Sequence, residues 1–219
     1  MKRKKIHILK PKSKRERSGC MNALKNKRRG YFFWKRLLDV LFSFLLLFFL
    51  AIPMLFIACT VLFTSRGGAI FRQKRVGRNA ETFVCYKFRT MYSYAPNNRP
   101  TSEFSDAALY VTPVGRFLRR TSLDELPQLF NVLKGDMSLI GPRPLIAEEE
   151  AVHRLRMEKG VYDIRPGITG LAQISGRDFV NDREKAELDA RYVEEIGFVS
   201  DCGILFKTLR RVADGDGIR

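Results

Sequence analysis

Residues 40 to 64 read VLFSFLLLFFLAIPMLFIACTVLFT, 25 successive positions without a charge. At about 1.5 Å per residue, a helix of that length matches a hydrocarbon core of roughly 30 Å, so the chain is expected to be membrane-bound. A cleaved signal peptide fits poorly, because the run is too long, begins far from the N-terminus and is followed by no small-residue cleavage pattern. Lys35 and Arg36 precede the run, and Arg66, Arg72, Lys74, Arg75 and Arg78 follow it, so both flanks read as cytoplasmic by the positive-inside rule. Pro53 lies near the middle, removes a backbone donor and permits a bend. A re-entrant hairpin that enters and leaves by one leaflet satisfies both flanks. A single span, which would put residues 65 to 219 on the far side, is the alternative. Asp39 lies within helical reach of Lys35 and Arg36 and is expected to pair with them as an anchor.

The net charge of +17 is unevenly placed. Residues 1 to 36 carry 15 Lys/Arg and one Glu, or +14, which leaves 25 Lys/Arg against 22 Asp/Glu, or +3, for the remainder. Residues 1 to 32 therefore read as a disordered basic arm whose partner is a polyanion. Beside a membrane segment, that partner is anionic headgroups, attracted by about 1 kcal/mol per basic residue near the surface. Nucleic acid is not expected, because no recognition motif accompanies the charge.

Residues 33 to 66 form the membrane unit, and residues 67 to 219 suffice for one compact domain without internal repeats. IFRQKRV at 70 to 76 and TFVCYKFRTM at 82 to 91, separated by Gly77-Arg78-Asn79, predict a β-hairpin. Residues 92 to 105 read as a loop. Helices are predicted over 123 to 134, ending at Gly135, and over 146 to 159 and 182 to 192; Arg165-Pro166-Gly167 and Gly170 mark a turn. A short basic amphipathic helix over 204 to 212 could lie along the headgroups. The fold class is thus mixed α/β, a mainly helical small cytosolic domain with a short hairpin, attached to a re-entrant membrane helix and interfacial amphipathic helices.

Cys20, Cys59, Cys85 and Cys202 show no metal-ligand spacing and read as reduced thiols. His7 and His153 are too isolated for a zinc site or a triad and are expected at the surface. The absence of a Walker loop, of G-x-G-x-x-G and of G-x-S-x-G argues against a P-loop NTPase, a Rossmann enzyme and a serine hydrolase.

The chemistry concentrates in TSLDELPQLFNVLKGDMSLIGPRP, residues 121 to 144. Ser122-Leu123-Asp124-Glu125 fits a capping box, which would set Asp124 in a first helical turn where exposed amides also suit a phosphate. On those residues alone, helix capping is the simpler reading. Pro127 would then be the fifth helical residue, where its missing N–H costs a bond and kinks the segment, and that strain draws the reading toward function. A carboxylate held beside a phosphoryl group can act as a nucleophile.

Lys87-Phe88-Arg89-Thr90-Met91, then residues 121 to 144, then Arg165-Pro166-Gly167-Ile168-Thr169-Gly170 resemble, in this order and spacing, the bacterial sugar transferase family. These are monotopic phosphoglycosyl transferases that start exopolysaccharide and glycoconjugate assembly. The resemblance implies transfer of a sugar 1-phosphate from a UDP-sugar to polyprenyl (undecaprenyl) phosphate, giving UMP and a polyprenyl diphosphate sugar. It implies Asp124 as the nucleophile that carries a covalent phosphosugar, and Glu125 as its partner, the two holding Mg²⁺. Arg143 would bind phosphate, with Lys87, Arg89 and Arg165 as further basic residues of the site. It also implies the cytoplasmic face of the bacterial inner membrane. Ile52 stands where the family often has Ser, Ser65-Arg66-Gly67-Gly68 replaces a Ser-Pro-Gly-Pro turn, and Ala80 takes a common glycine position. The larger relatives' extra membrane helices and regulatory domain have no counterpart, so a minimal catalytic unit is expected.

The other function class is a catalytically inert membrane-surface scaffold; a phosphohydrolase that passes its aspartyl-phosphate to water is a third reading. The sugar, the glycan pathway and the oligomeric state stay open, a homodimer included.

Overall fold

The structure, a computed structural model, describes residues 29 to 95, 107 to 175 and 181 to 214. The basic arm up to residue 28, with His7 and Cys20, and most of the 92-to-105 and 175-to-182 loops lie outside the described residues.

The apolar run sits within α1 (Arg29–Thr64), a helix of 36 residues that begins eleven positions earlier than the uncharged stretch and keeps Pro53 inside it. It is the one helix among the described residues long and apolar enough to cross a membrane. Phe48, Phe49, Ile52 and Phe56 in its middle are exposed, whereas both of its ends touch the rest of the chain. At the start, Tyr31 and Phe32 pack on a core of Ile140, Val161, Tyr192, Val193, Ile196 and Ile204. Near the end, Met54, Ile57 and Val61 pack with Phe88 and Leu118. Asp39 is buried and accepts from the Leu139 amide at 3.1 Å, while Lys35 pairs with Asp201. The expected anchor is thus a tertiary dock rather than an ion pair along one helix, because the domain offers both groups nearer partners.

The hairpin forms as expected. β1 (Ile70–Val76) pairs antiparallel with β2 (Thr82–Phe88), from Val76 opposite Thr82 to Ile70 opposite Phe88. Its turn puts both Asn79 (φ 58°) and Ala80 (φ 56°) in the left-handed region, which explains why a glycine would suit position 80. β2 stops three residues short of the predicted 91, and Met91 makes only an isolated bridge to Val111. Phe83 and Cys85 point into a core with Val132 and Met137. Lys87, two and four residues on, shares their side of the strand.

After α2 (Ala107–Tyr110), Thr112 caps α3 (Pro113–Arg120) by accepting from the Gly115 amide at 2.9 Å, with Pro113 at the first helical position where its missing donor is harmless. A Cβ on Gly115 would fall 2.0 Å from the Thr90 carbonyl oxygen, so the β2 exit and α3 touch backbone to backbone. The predicted helix over 123 to 134 is divided: Leu123–Glu125 is a 3₁₀ turn, and α4 (Gln128–Lys134) follows with Pro127 at its N-cap and Gly135 (φ 91°) closing it. Pro127 therefore stands before the helix and costs it no bond. The expected capping box at Ser122 is absent. Ser122 is left-handed (φ 57°, ψ 15°), makes no side-chain cap, and its hydroxyl is buried without a partner. The capping box instead closes α7 (Asp182–Glu195), where Asn181 and Glu184 exchange bonds.

The turn expected at 165 to 170 is a short strand. β3 (Ser138–Ile140) runs parallel to β4 (Gly167–Thr169), joined by Ser138 N to Pro166 O at 2.8 Å and Gly141 N to Thr169 O at 2.8 Å. A Cβ on Gly167 would lie 2.0 Å from the Gly141 nitrogen, so the two glycine motifs exist to let their backbones meet. α5 (Glu150–Glu158), α6 (Leu171–Ser175), α7 and α8 (Phe198–Ala213) complete the domain, with α5 packed on α7 and α8 on β3, β4 and α6. α8 starts six residues earlier than predicted, and its Phe198, Val199, Phe206 and Leu209 are exposed.

His153 is not at the surface: it is 1 % exposed, with Nε2 on the Ile146 carbonyl at 2.7 Å and Nδ1 on the Tyr162 hydroxyl. Burial lowers its proton affinity, so it stands as a neutral imidazole bridging two core groups.

Candidate active site

The left-handed Ser122 reverses the chain as it leaves α3 and drives Asp124 and Glu125 inward, so that both carboxylates are buried. A non-glycine residue in that conformation is strained, and strain of this kind concentrates where a side chain must be aimed. From β2, Lys87 Nζ reaches Glu125 Oε1 at 2.6 Å; from the Pro-Arg-Pro turn after β3, Arg143 Nη1 lies 3.6 Å from the same oxygen. Arg75, Lys87, Glu125, Gln128, Arg143 and Gln173 line one small cleft. Three chain segments far apart in sequence thus converge on one carboxylate.

Asp124 lies beside that cleft, 6 % exposed, and its Oδ1 is buried with no hydrogen-bond partner. Burial raises its pKa above the ordinary 3.8, the charges of Lys87, Arg119 and Arg143 oppose the rise, and Glu125 adds to it. A buried carboxylate oxygen without a donor is costly unless something else comes to it, which here can be a cation or an electrophilic phosphorus. Two adjacent carboxylates also suit a hard cation that takes one or two protein oxygens and completes its shell with water and substrate phosphate, as Mg²⁺ does. Among the described residues, no cluster of three or more His, Cys, Asp or Glu offers an all-protein metal cage.

Of the residues expected from sequence, the structure brings together Asp124, Glu125, Lys87 and Arg143. It places the other two elsewhere. Arg89 donates to the Arg66 carbonyl at 3.1 Å, and Arg165 donates through Nε to the Gly135 carbonyl at 2.9 Å and lines a separate cavity.

Two further arginines hold the turn that carries Arg143. Arg75 donates to the Pro144 carbonyl at 3.0 Å and to Gln73 Oε1 at 2.6 Å, and both burial and the nearby Arg143 charge lower its pKa. Arg156 donates to the Arg143 carbonyl at 2.8 Å and pairs with Asp189, the two side chains being almost wholly buried. Arg75 counts in the sequence only among the basic residues that flank the apolar run, and Arg156 lies unmarked within the helix predicted over 146 to 159. The only available signal was that each is a charged residue at a position its element's period turns inward.

A family model described as bacterial sugar transferase matches residues 30 to 215. The undecaprenyl-phosphate galactose phosphotransferase of Salmonella typhimurium is 40 % identical over 205 residues, covering 87 % of this chain and 42 % of that protein. The UDP-glucose:undecaprenyl-phosphate glucose-1-phosphate transferase of Klebsiella pneumoniae is 39 % identical over 183 residues, 80 % of this chain and 39 % of that one. The exopolysaccharide production protein ExoY of Sinorhizobium fredii is 38 % identical over 194 residues, 81 % and 84 % respectively. The chain therefore spans less than half of the first two relatives and most of the third. With the family model covering every described residue but the first, the chain belongs to the bacterial sugar transferase family.

Proposed function

We propose that this protein transfers a sugar 1-phosphate from a UDP-sugar to polyprenyl (undecaprenyl) phosphate at the cytoplasmic face of a bacterial inner membrane. The observation that carries the reading is the buried, unpartnered Asp124 Oδ1 beside the Lys87–Glu125–Arg143 cluster. In the first step an Asp124 carboxylate oxygen attacks the sugar-bearing phosphorus. The bond from that phosphorus to the bridging oxygen breaks, and UMP leaves with the electron pair. In the second, a phosphate oxygen of the lipid attacks the same phosphorus and the Asp124 carboxylate departs, leaving a polyprenyl diphosphate sugar. Arg143 offers a planar pair of donors to the phosphoryl oxygens, and Lys87 holds Glu125 in place beside them. Glu125 and Asp124 would hold Mg²⁺, which when bound neutralises diphosphate charge.

Two substrates of opposite solubility use one nucleophile in turn, so the site must sit at the bilayer surface. Support comes from α1, whose two ends both touch the same domain while its apolar middle is bare. A helix that crossed the bilayer would carry its ends to opposite sides, whereas one that turns back within a leaflet keeps both at the domain.

The test is UMP release from a panel of UDP-sugars by the full chain in detergent, with and without polyprenyl phosphate and Mg²⁺, alongside Asp124→Asn. Lipid-dependent release that disappears in the variant, with radiolabelled sugar phosphate trapped on the wild-type protein before lipid is added, is the expected result. No turnover with any donor from folded protein would favour the inert scaffold.

A further inference from the structure

A second cavity, of about 230 Å³, lies between the start of α1 and the backbone around residues 163 to 165, apart from the Asp124 cleft. Arg36, Arg78 and Arg165 line it together with Phe32, Asp39 and Asp163. Its charges are unevenly satisfied. Arg36 gives both terminal nitrogens to the carbonyls of Val132 and Leu133 at the end of α4, at 2.7 and 3.1 Å. Arg78 and Arg165 commit only their Nε atoms, to the carbonyls of Asp163 at 3.2 Å and Gly135 at 2.9 Å. Among the described residues no ion pair joins either of these two to a carboxylate: Asp39 is engaged by the Leu139 amide, and Arg78 meets the backbone of Asp163 rather than its side chain. Burial first, and then the like charges of Arg78 and Arg36, hold the proton affinity of Arg165 down, with Asp39 opposing. Lys35, Arg36, Arg78 and Arg165 thus outnumber the carboxylates of Asp39 and Asp163 at the cavity wall, and the terminal nitrogens of Arg78 and Arg165 have no carboxylate partner among the described residues.

Phe33 and Trp34, next to Phe32 in α1, are 67 % and 60 % exposed, and aromatic residues so placed at the end of an apolar helix mark headgroup depth. The cavity joins this cationic wall to the apolar side chains of Phe32, Ile164 and Ile196, so it suits an anionic group carried on an apolar body.

We propose that this cavity is a second phosphate site, separate from the reaction centre, in which Arg78 and Arg165 hold the phosphate of a membrane headgroup through their terminal nitrogens. The site rests on the membrane placement of α1 and not on sugar transfer, so it can be tested without turnover. It would fasten α1 and the hairpin turn to one lipid and fix the height of the catalytic cleft above the bilayer.

The full chain is reconstituted in nanodiscs of phosphatidylcholine with or without phosphatidylglycerol, extracted, and weighed by native mass spectrometry for retained lipid. Wild type should retain one phosphatidylglycerol, and Arg78→Gln should lower that retention about tenfold, the loss expected for a charge-assisted bond. Arg78→Lys, which keeps the charge without the fork, should recover part of it. Arg78 is exposed in the hairpin turn, so its replacement should leave the melting temperature in place. Binding of inorganic phosphate alone, sensitive to the same substitution and indifferent to lipid, would keep the phosphate site and overturn its headgroup source. Equal lipid retention in wild type and Arg78→Gln, with no phosphate binding by either, would overturn the proposal.

Discussion

Asp124 and Asp201 are almost equally buried, 6 % and 7 % exposed, and are treated in opposite ways by the fold. Asp201, in α8, has both oxygens engaged: Oδ2 accepts from the Tyr31 hydroxyl at 2.6 Å and pairs with Lys35, while Oδ1 accepts from the Tyr192 hydroxyl at 2.7 Å. Those partners come from α1 and α7, so the carboxylate fastens the long apolar helix to the domain. Asp124 has cations nearby but an oxygen with no donor. A satisfied buried charge resists change, whereas an unsatisfied one is a standing cost that persists where chemistry uses it. The contrast separates the carboxylate that fixes geometry from the one proposed to react.

Replacing each aspartate with asparagine should split these roles. Asp124→Asn should reduce UMP release by about a thousandfold or more while the melting temperature holds or rises, because a penalised charge disappears. A large fall in melting temperature would make Asp124 a structural residue and dissolve the contrast. Asp201→Asn should do the reverse: a loss of about 3 kcal/mol of stability from stranding Lys35, read in a chemical melt, with turnover per folded molecule changed only severalfold.

Next in size come the arginines. Arg143→Gln should lower UMP release about a hundredfold as a lost oxyanion-type contact. Arg89→Gln, which removes only a bond to the Arg66 carbonyl, should cost severalfold at most. Equal effects would place Arg89 in the cleft after substrate binds. Arg156→Gln should raise KM through a displaced Arg143 as well as destabilise, and Arg156→Lys should restore stability more than KM, because an ammonium keeps the charge toward Asp189 but lacks the second, fixed arm of the fork that reaches the Arg143 carbonyl.

The acid limb of the pH profile is a finer probe. With its folded pKa raised above 3.8, Asp124 contributes stability below its unfolded pKa that is lost as pH rises through the folded value, while activity requires the ionised form. Acidification should therefore depress UMP release, with an inflection above 3.8, at pH values where this group favours the fold. The smallest effect is at the hairpin turn, where Ala80→Gly should raise stability by about 1 kcal/mol by relieving a left-handed alanine.

The hairpin, the Gly135 helix end and the apolar helix were legible because each depends on local pattern: alternation between turn residues, a left-handed glycine, and a run without charges. The Leu123–Glu125 segment reads as a capping box because Ser-x-x-Glu has that spacing, whereas in the fold Ser122 is left-handed, a conformation that prevents one. His153 was read as a surface residue because a lone histidine carries no mark of burial, and its partners Ile146 and Tyr162 are set by the fold. Asp124, Glu125, Lys87 and Arg143 could be chosen from motif resemblance, but nothing local distinguished them from Arg89 and Arg165, which point elsewhere.

Sequence by itself determined that a long apolar helix would form, that a hairpin would follow it, and that carboxylates and arginines would recur in ordered motifs. These follow from interactions between residues a few positions apart. Tertiary structure decided which charges meet. Lys87, Glu125 and Arg143 share one cleft only because β2, the Ser122 reversal and the β3–β4 pair close on one another, and two equally buried aspartates diverge according to which donors that closure brings within reach.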